Sequence, residues 1–376
     1  MKIKLSKSVL GKEEISAISR VILKDGYLGM GKDVQKFELA LAKFLGIKNE
    51  NKKVICVNTG TSALHLAVAG VTKLDDEVLV QSLTYVASFQ AISAAGAVPV
   101  ACEINPETMT IDLVDAEKKI TSKTKAIMPV HYAGNPGNLD KIYEFAKKHN
   151  LRVIEDAAHA FGATYNGKLI GSFGDIVCFS FDPIKNITSG EGGAIVTSDK
   201  KVIQYVQDAR LLGVYKDTER RYKGQRSWKP DVFFQGYRYH MGNISAAIGQ
   251  VQLKKFPKFK KIRQYLAKEY STFLKDVNGI EIIKNNYDNI VPHIFVIKVL
   301  GGKRDELRKY LEDNGVECGI HYYPNHFLSF YKKLDVQLPE TEKIYSQILT
   351  LPLHPGLTQK QQNIIINLIK KCQKRF

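Results

Sequence analysis

VIEDAAHAFGATYNGKLIGSFGDIVCFSFDPIKNITSGEGGA, residues 153–194, sets an acid, a histidine, a serine and a lysine among two apolar runs and a glycine-rich turn. The run LRVIED reads as a strand that ends on Asp156, and DIVCFSF reads as a second strand leading through Ser180 to Lys185. A lone Asp at a strand end often only caps the next helix, and a lone loop lysine is usually a solvated charge. Lys185, however, follows the apolar block IVCFSF and precedes TSGEGGA, so its neighbours are buried-strand and tight-turn residues. The two strand ends together point to a mostly parallel α/β sheet with a ligand beyond its carboxyl edge.

That set of side chains suits pyridoxal phosphate. Lysine can hold an aldehyde cofactor as an imine and, once released, carry a proton at the same carbon, which makes Lys185 the first candidate. A carboxylate at the pyridine nitrogen keeps the ring protonated and electron-withdrawing, and Asp156 stands where a parallel strand delivers it. Asn58-Thr59-Gly60-Thr61-Ser62 follows the strand-like KKVICV and opens a helix. Free backbone N–H groups and the helix dipole there favour a phosphate, although the same residues also read as a plain N-cap.

The pattern continues on both sides. Between about residues 52 and 200, short apolar runs alternate with amphipathic helical ones, as expected for an α/β sheet covered on both faces. Residues 245–275 read as one long helix, and NIVPHIFVIKV, ELRKYLEDNGVECGIHYY and TQKQQNIIINLIKKCQ as a smaller α+β part. At 376 residues, two domains are expected. No apolar run approaches the ~20 residues of a membrane span, and MKIKLSKSVLGKEE lacks a signal-peptide core, so the expectation is a cytoplasmic protein that does not engage membranes. Five scattered cysteines without a CxxC pair suggest neither a disulfide framework nor a metal site. The 55 Lys and Arg against 38 Asp and Glu give +17, but no zinc-finger spacing, RNP-like motif or Gly-x-x-Gly loop organises that charge for nucleic acid. A basic surface instead helps to draw in a phosphorylated cofactor and a diphosphate-bearing substrate.

Taken in order, DGYLGMGKDVQKFE, NTGTSALHLA, LTYVASFQAI, MPVHYAG, EDAAHAFGATYNGKLIGSFGD, FSFDPIKNITSGEGGA, RYHMGNISAAIGQVQL, GIHYYPNH and LPLHPGLT resemble the sugar-nucleotide aminotransferases of the DegT/DnrJ/EryC1/StrS family nearly end to end. The resemblance implies the aspartate aminotransferase-like fold (fold type I), with a large cofactor-binding domain over residues 1–250 and a small domain over 251–376. It implies that Lys185 carries pyridoxal 5'-phosphate, that Asp156 meets the pyridine nitrogen, that His159 lies by the phenolic oxygen and that Tyr85 stacks on the ring. Gly60, Thr61, Ser62 and Ser180 match the phosphate cradle. Two positions depart from the family pattern. Arg238 replaces the asparagine that reaches a neighbouring subunit's cofactor phosphate, so a homodimer is implied with a cation in that place, and Asp182 stands where His or Tyr is common.

The implied reaction takes the amino group of L-glutamate, leaving pyridoxamine phosphate and 2-oxoglutarate, and passes it to a nucleotide-linked keto-6-deoxysugar. Such products enter deoxyamino-sugar, surface polysaccharide and lipopolysaccharide O-antigen biosynthesis. The run TSGEGG is closer to relatives acting at C4 than to 3-aminotransferases, and C3 is the alternative. Dehydrating relatives carry His at the position of Lys185, which favours transamination here. The loop TERRYKGQRSWKPD, with Arg226 and Trp228, offers cations for a diphosphate and an aromatic face for a sugar or base, and reads equally well as a solvated basic loop. His321, Tyr322 and His326 in GIHYYPNH are further candidates for a sugar pocket.

Overall fold

A computed structural model describes residues 2–49, 51–225 and 228–373. Seven strands form the large sheet: β1 Lys53–Val57, β2 Glu77–Gln81, β3 Val98–Cys102, β4 Thr124–Met128, β5 Arg152–Asp156, β6 Ile176–Ser180 and β7 Gly193–Thr197. Their order is β1-β7-β6-β5-β4-β2-β3, and only β7 runs against its neighbours. The strands read as nearly unbroken apolar runs because helices cover both faces, and VICV in β1 and IVCFS in β6 are buried throughout. Parallel strands connected through helices all present their carboxyl ends to one edge. The pairing of Asp156 with Cys178 sets the end of β5 beside β6, two residues short of Ser180.

The helix Asn243–Leu274, expected over 245–275, is 32 residues long and packs on the helices Lys12–Ser19 and Lys32–Phe44. Residues 250 and 251 therefore lie inside one continuous helix that runs from the large sheet to the remainder of the chain. Gly249 permits this packing, since a Cβ there would stand 2.5 Å from the Phe37 ring. Beyond the helix, β8 Ile280–Ile282, β9 Phe295–Val299 and β10 Ile348–Leu351 make an antiparallel sheet in that order. The start of the chain joins this second part: Ile3 forms a parallel bridge to Val316, and the Leu5 N–H donates to Glu317 Oε2 at 3.2 Å. No helix among the described residues is long and apolar enough to cross a membrane.

A buried cation ties the large sheet to its helical cover. Arg210, fully enclosed at the end of the helix Lys200–Ala209, donates to Glu38 Oε1 at 2.7 Å, the Cys56 carbonyl at 2.6 Å and Tyr222 Oη at 2.9 Å. Removing one member of such a group leaves the other charge buried and uncompensated. Glu38→Ala is therefore expected to cost about 3–5 kcal/mol of stability, read by equilibrium denaturation. A loss under about 1 kcal/mol would show that Arg210 is compensated elsewhere.

Candidate active site

One cleft of about 370 Å3 opens at the carboxyl edge of the sheet, with Gly60, Tyr85, Asp156, His159, Lys185 and Tyr322 among its lining residues. Each lining group arrives on a different strand end or loop. β1 ends beneath the helix Gly60–Ala69, whose N-cap Thr59 accepts from the Ser62 N–H at 3.0 Å through its side chain. The first-turn N–H groups of Gly60 and Thr61 precede any intrahelical partner, and the helix dipole adds positive potential at that end. Glycine is required there by close approach: a Cβ on residue 60 would lie 2.7 Å from Ser180 Cβ. β6 thus brings Ser180 directly against the helix start.

Asp156 is the last residue of β5 and is almost fully buried. Ser88 Oγ donates to its Oδ2 at 2.7 Å and the Ala158 N–H to its Oδ1 at 3.2 Å. Burial pushes this carboxyl up from the usual carboxylate range, against the opposing effects of the Ser88 and Ala158 hydrogen bonds and of Lys185 and His131. Lys185 sits in the turn between β6 and the reversed β7, where its N–H donates to the Asp182 carbonyl at 3.1 Å. Burial pulls its ammonium down to about 8, while Asp182 and Asp156 act in the opposite direction. Asp182 Oδ1 accepts from the Ile184 N–H at 3.1 Å, which fixes the turn. Glu191, from the glycine-rich run, also lines the cleft, and burial and then Asp182 raise its carboxyl.

The wall opposite the strand ends comes from the second part of the chain. Tyr322 Oη is 2.9 Å from His159 Nε2, and the Tyr322 ring lies 5.7 Å from that of Tyr85. Burial drives the His159 imidazole well below its ordinary value, so it is neutral, and Nδ1 of that ring is buried without a partner. His321 lines the cleft too, with Nδ1 2.9 Å from Thr350 Oγ1, and burial holds it down at about 4. Asn325 fastens the whole segment by donating to the carbonyls of Ser82 at 3.0 Å and Thr84 at 2.8 Å.

The structure brings Gly60, Thr61, Tyr85, Asp156, His159, Ser180, Lys185, His321 and Tyr322 to this cleft. Ser62 is placed behind it, its hydroxyl donating to Asn58 Oδ1 at 2.7 Å within the helix cap. The expectation that His326 joins a sugar pocket is corrected: its ring is spent on Ser82 Oγ at 2.8 Å and Glu342 Oε1 at 3.2 Å, and it anchors a loop. Trp228 is 96% exposed and Arg238 is exposed, and neither lines the cleft of the single chain. Arg226 lies outside the described residues. Sequence reasoning missed Ser88, Asn325 and Glu191. Of these, only Glu191 carried a signal, its place between the glycines of TSGEGG.

The residues fit pyridoxal phosphate. The donor set combines a half-buried amine of lowered basicity, a buried carboxylate on a strand end and a helix start with free N–H groups whose first residue has no room for a side chain. The unpartnered Nδ1 of His159 is one more polar atom left unused by the chain itself.

The model of the DegT/DnrJ/EryC1/StrS aminotransferase family matches residues 9–370, and the chain belongs to that family. It is a transaminase of fold type I. The spore coat polysaccharide biosynthesis protein SpsC of Bacillus subtilis is 33% identical over 377 residues, spanning 97% of this chain and 96% of SpsC. Helicobacter pylori PseC, an aminotransferase involved in the biosynthesis of pseudoaminic acid, superposes with a TM-score of 0.91 at 27% identity over 100% of both chains. Spr1654 of Streptococcus pneumoniae, described as a sugar aminotransferase, has a TM-score of 0.90 in its PMP form at 28% identity, covering 100% of this chain and 98% of that one.

An amine held at about 8 is unprotonated at a pH where ordinary lysines, near ~10.4, are still ammonium ions. In cofactor-free protein, reductive methylation of Lys185 with formaldehyde should reach half its maximal rate near pH ~8, ahead of the surface lysines, by peptide mass spectrometry. Labelling of Lys185 in parallel with the surface lysines would contradict its assigned environment.

Proposed function

We propose that this transaminase uses pyridoxal phosphate to move the amino group of L-glutamate to a nucleotide-linked keto-6-deoxysugar, with the 4-keto compound as acceptor. The observation that carries the reading is the convergence, in one cleft, of Lys185, Asp156 and the side-chain-free start of the helix Gly60–Ala69. The names of SpsC, PseC and Spr1654, which concern polysaccharide, pseudoaminic acid and sugar chemistry, support a sugar as the acceptor. The run TSGEGG beside Lys185 supports C4 over C3.

When bound, pyridoxal phosphate supplies an aldehyde carbon that accepts the amino group and a protonated ring that withdraws electrons from it. Lys185 would hold the aldehyde, and its amine is the group placed to take and return a proton at the donor's α-carbon. An amine near 8 suits both tasks at neutral pH, because it gives and takes a proton with little bias. Asp156 would keep the ring nitrogen protonated, and the Ser88 hydroxyl donates to its carboxylate at 2.7 Å. Gly60, Thr61 and Ser180 would hold the phosphate, and Tyr85 and His159 line the same cleft where they would flank the ring. Arg238 completes the phosphate site of a second copy, which makes the working unit a homodimer. Residues 1–250 then serve as the cofactor-binding domain and residues 251–376 as the smaller one, whose His321 and Tyr322 face the sugar.

Lys185→Ala should abolish both the visible absorbance of the holoenzyme and turnover; an active, yellow variant would refute the assignment. The acceptor is decided by incubating the enzyme with L-glutamate and separate 4-keto and 3-keto dTDP, GDP and UDP sugars, with products located by NMR. Amination of the 3-keto compounds alone would overturn the choice of C4. Arg238→Ala should weaken cofactor retention by about 1.5–3 kcal/mol, the range of a charged hydrogen bond, and sedimentation should show no active monomer. Unchanged retention would assign the phosphate contact to another residue.

A further inference from the structure

Beneath Asp156 lies a second set of buried ionisable groups that the proposed reaction leaves without a role. Glu155 precedes Asp156 on β5, so the two side chains point to opposite faces of the sheet. Glu155 is 0% exposed, and its Oε1 accepts from Tyr143 Oη at 2.6 Å. Its Oε2 lies 3.2 Å from His131 Nε2, on a ring that is also 0% exposed. Gly174 closes over the carboxylate so tightly that a Cβ there would stand 2.4 Å from Oε1. A carboxylate this enclosed is costly unless a cation accompanies it. Neither the Arg152–Asp175 pair, engaged through two 2.7 Å hydrogen bonds, nor Lys52, which donates to the Gly174 carbonyl at 3.3 Å, closes an ion pair with Glu155. Among the described residues, His131 is the basic side chain within ion-pair distance of it.

His131 is also fixed to Asp156 itself. The His131 N–H donates to the Asp156 carbonyl at 3.0 Å, the Asp156 N–H donates to the Pro129 carbonyl at 2.9 Å, and Val130 forms a parallel bridge with Asp156. We infer that His131 and Glu155 are a positioning pair for the proposed pyridoxal phosphate site. Glu155, itself held by Tyr143, packs against the His131 ring, and His131 and Val130 are tied through their backbones to residue 156, so the pair fixes where the end of β5 presents the Asp156 carboxylate. The need for such support follows from the site: burial favours the neutral acid at Asp156, and the hydrogen bonds from Ser88 and Ala158, then Lys185, then His131 act on the side of the carboxylate. Neither His131 nor Glu155 lines the cleft, so neither touches substrate.

The inference rests on the cofactor reading and is tested separately from it. The holoenzyme is reconstituted with pyridoxal phosphate labelled with 15N at the ring, and the ring-nitrogen chemical shift is recorded for wild type, His131→Gln and Glu155→Gln, beside the rate of the glutamate half-reaction and the thermal midpoint. The expected result is a protonated ring nitrogen in wild type, a shift towards the unprotonated value in both variants, and a half-reaction slowed by about tenfold or more. Glu155→Asp should restore part of the shift. Tyr143→Phe, which removes one hydrogen bond from Glu155 and no charge, should move the ring signal the same way by a smaller amount and provides a folded reporter if His131→Gln does not accumulate. Variants that lose thermal stability or rate while the ring nitrogen stays fully protonated would overturn the inference, leaving the pair a packing element. A wild-type protein that binds no cofactor would remove the proposed function, and this inference with it.

Discussion

Loss of water at the carboxyl edge of the parallel sheet governs the chemistry of the cleft. Burial is the largest influence on each group: it lowers Lys185, His159 and His321 and raises Asp156. For Lys185 the direction is useful because it brings the amine nearer to neutral pH, where a proton transfers with little driving force, whereas at Asp156 the Ser88 and Ala158 hydrogen bonds act against burial. The arrangement depends on the sheet, since parallel strands deliver different side chains to one place while each strand's backbone hydrogen bonds are satisfied internally. Close packing adds the second condition. Gly60 and Ser180 touch with no room for a side chain between them, so the helix start cannot withdraw from the floor of the cleft.

Much of this was legible in the sequence, for reasons that differ by residue. Asp156 ends an apolar run and Lys185 stands between another and the glycine-rich TSGEGG, and apolar runs that stop in this way report strand ends directly. The helix of residues 243–274 announced itself by length and periodicity. Other features carry no local mark. The contact between His159 and Tyr322 joins residues 163 apart, and Ser88 is one small polar residue in a helix of ordinary composition. His326 shows the converse: a histidine in a motif rich in histidine and tyrosine looked available for substrate, yet its ring satisfies Ser82 and Glu342 instead. Residue type reveals what a side chain is able to do, and only packing decides which way it turns. β10 was likewise invisible, because ILTL is four residues long and runs straight into Pro352.

The second part of the chain contributes to the cleft through fasteners more than through reactive groups. Asn325 secures the segment that carries His321 and Tyr322 to the loop after β2, and Arg263, buried in the helix Asn243–Leu274, donates to the carbonyls of His293 at 3.0 Å and Leu353 at 3.2 Å. Burial brings that guanidinium down to about 10. Its positive charge also acts on Lys185 in the lowering direction, so a residue chosen for holding loops together takes part in setting the amine. Structure and reactivity are coupled here through the field of a single enclosed cation.

The bridge between Ile3 and Val316 bears on how the chain is made. Ile3 is synthesised about 310 residues before its partner, and at roughly 5–20 residues per second that is an interval of some 15 s to a minute. The seven strands of the large sheet are complete by Thr197, well before that partner exists. The segment around Ile3 is therefore without its partner while the large sheet, with β1 and β3 as its edge strands, already has all its strands. KIKLSK, with three lysines among its six residues, is poorly suited to join such an edge, because lysine charge disfavours edge-to-edge pairing.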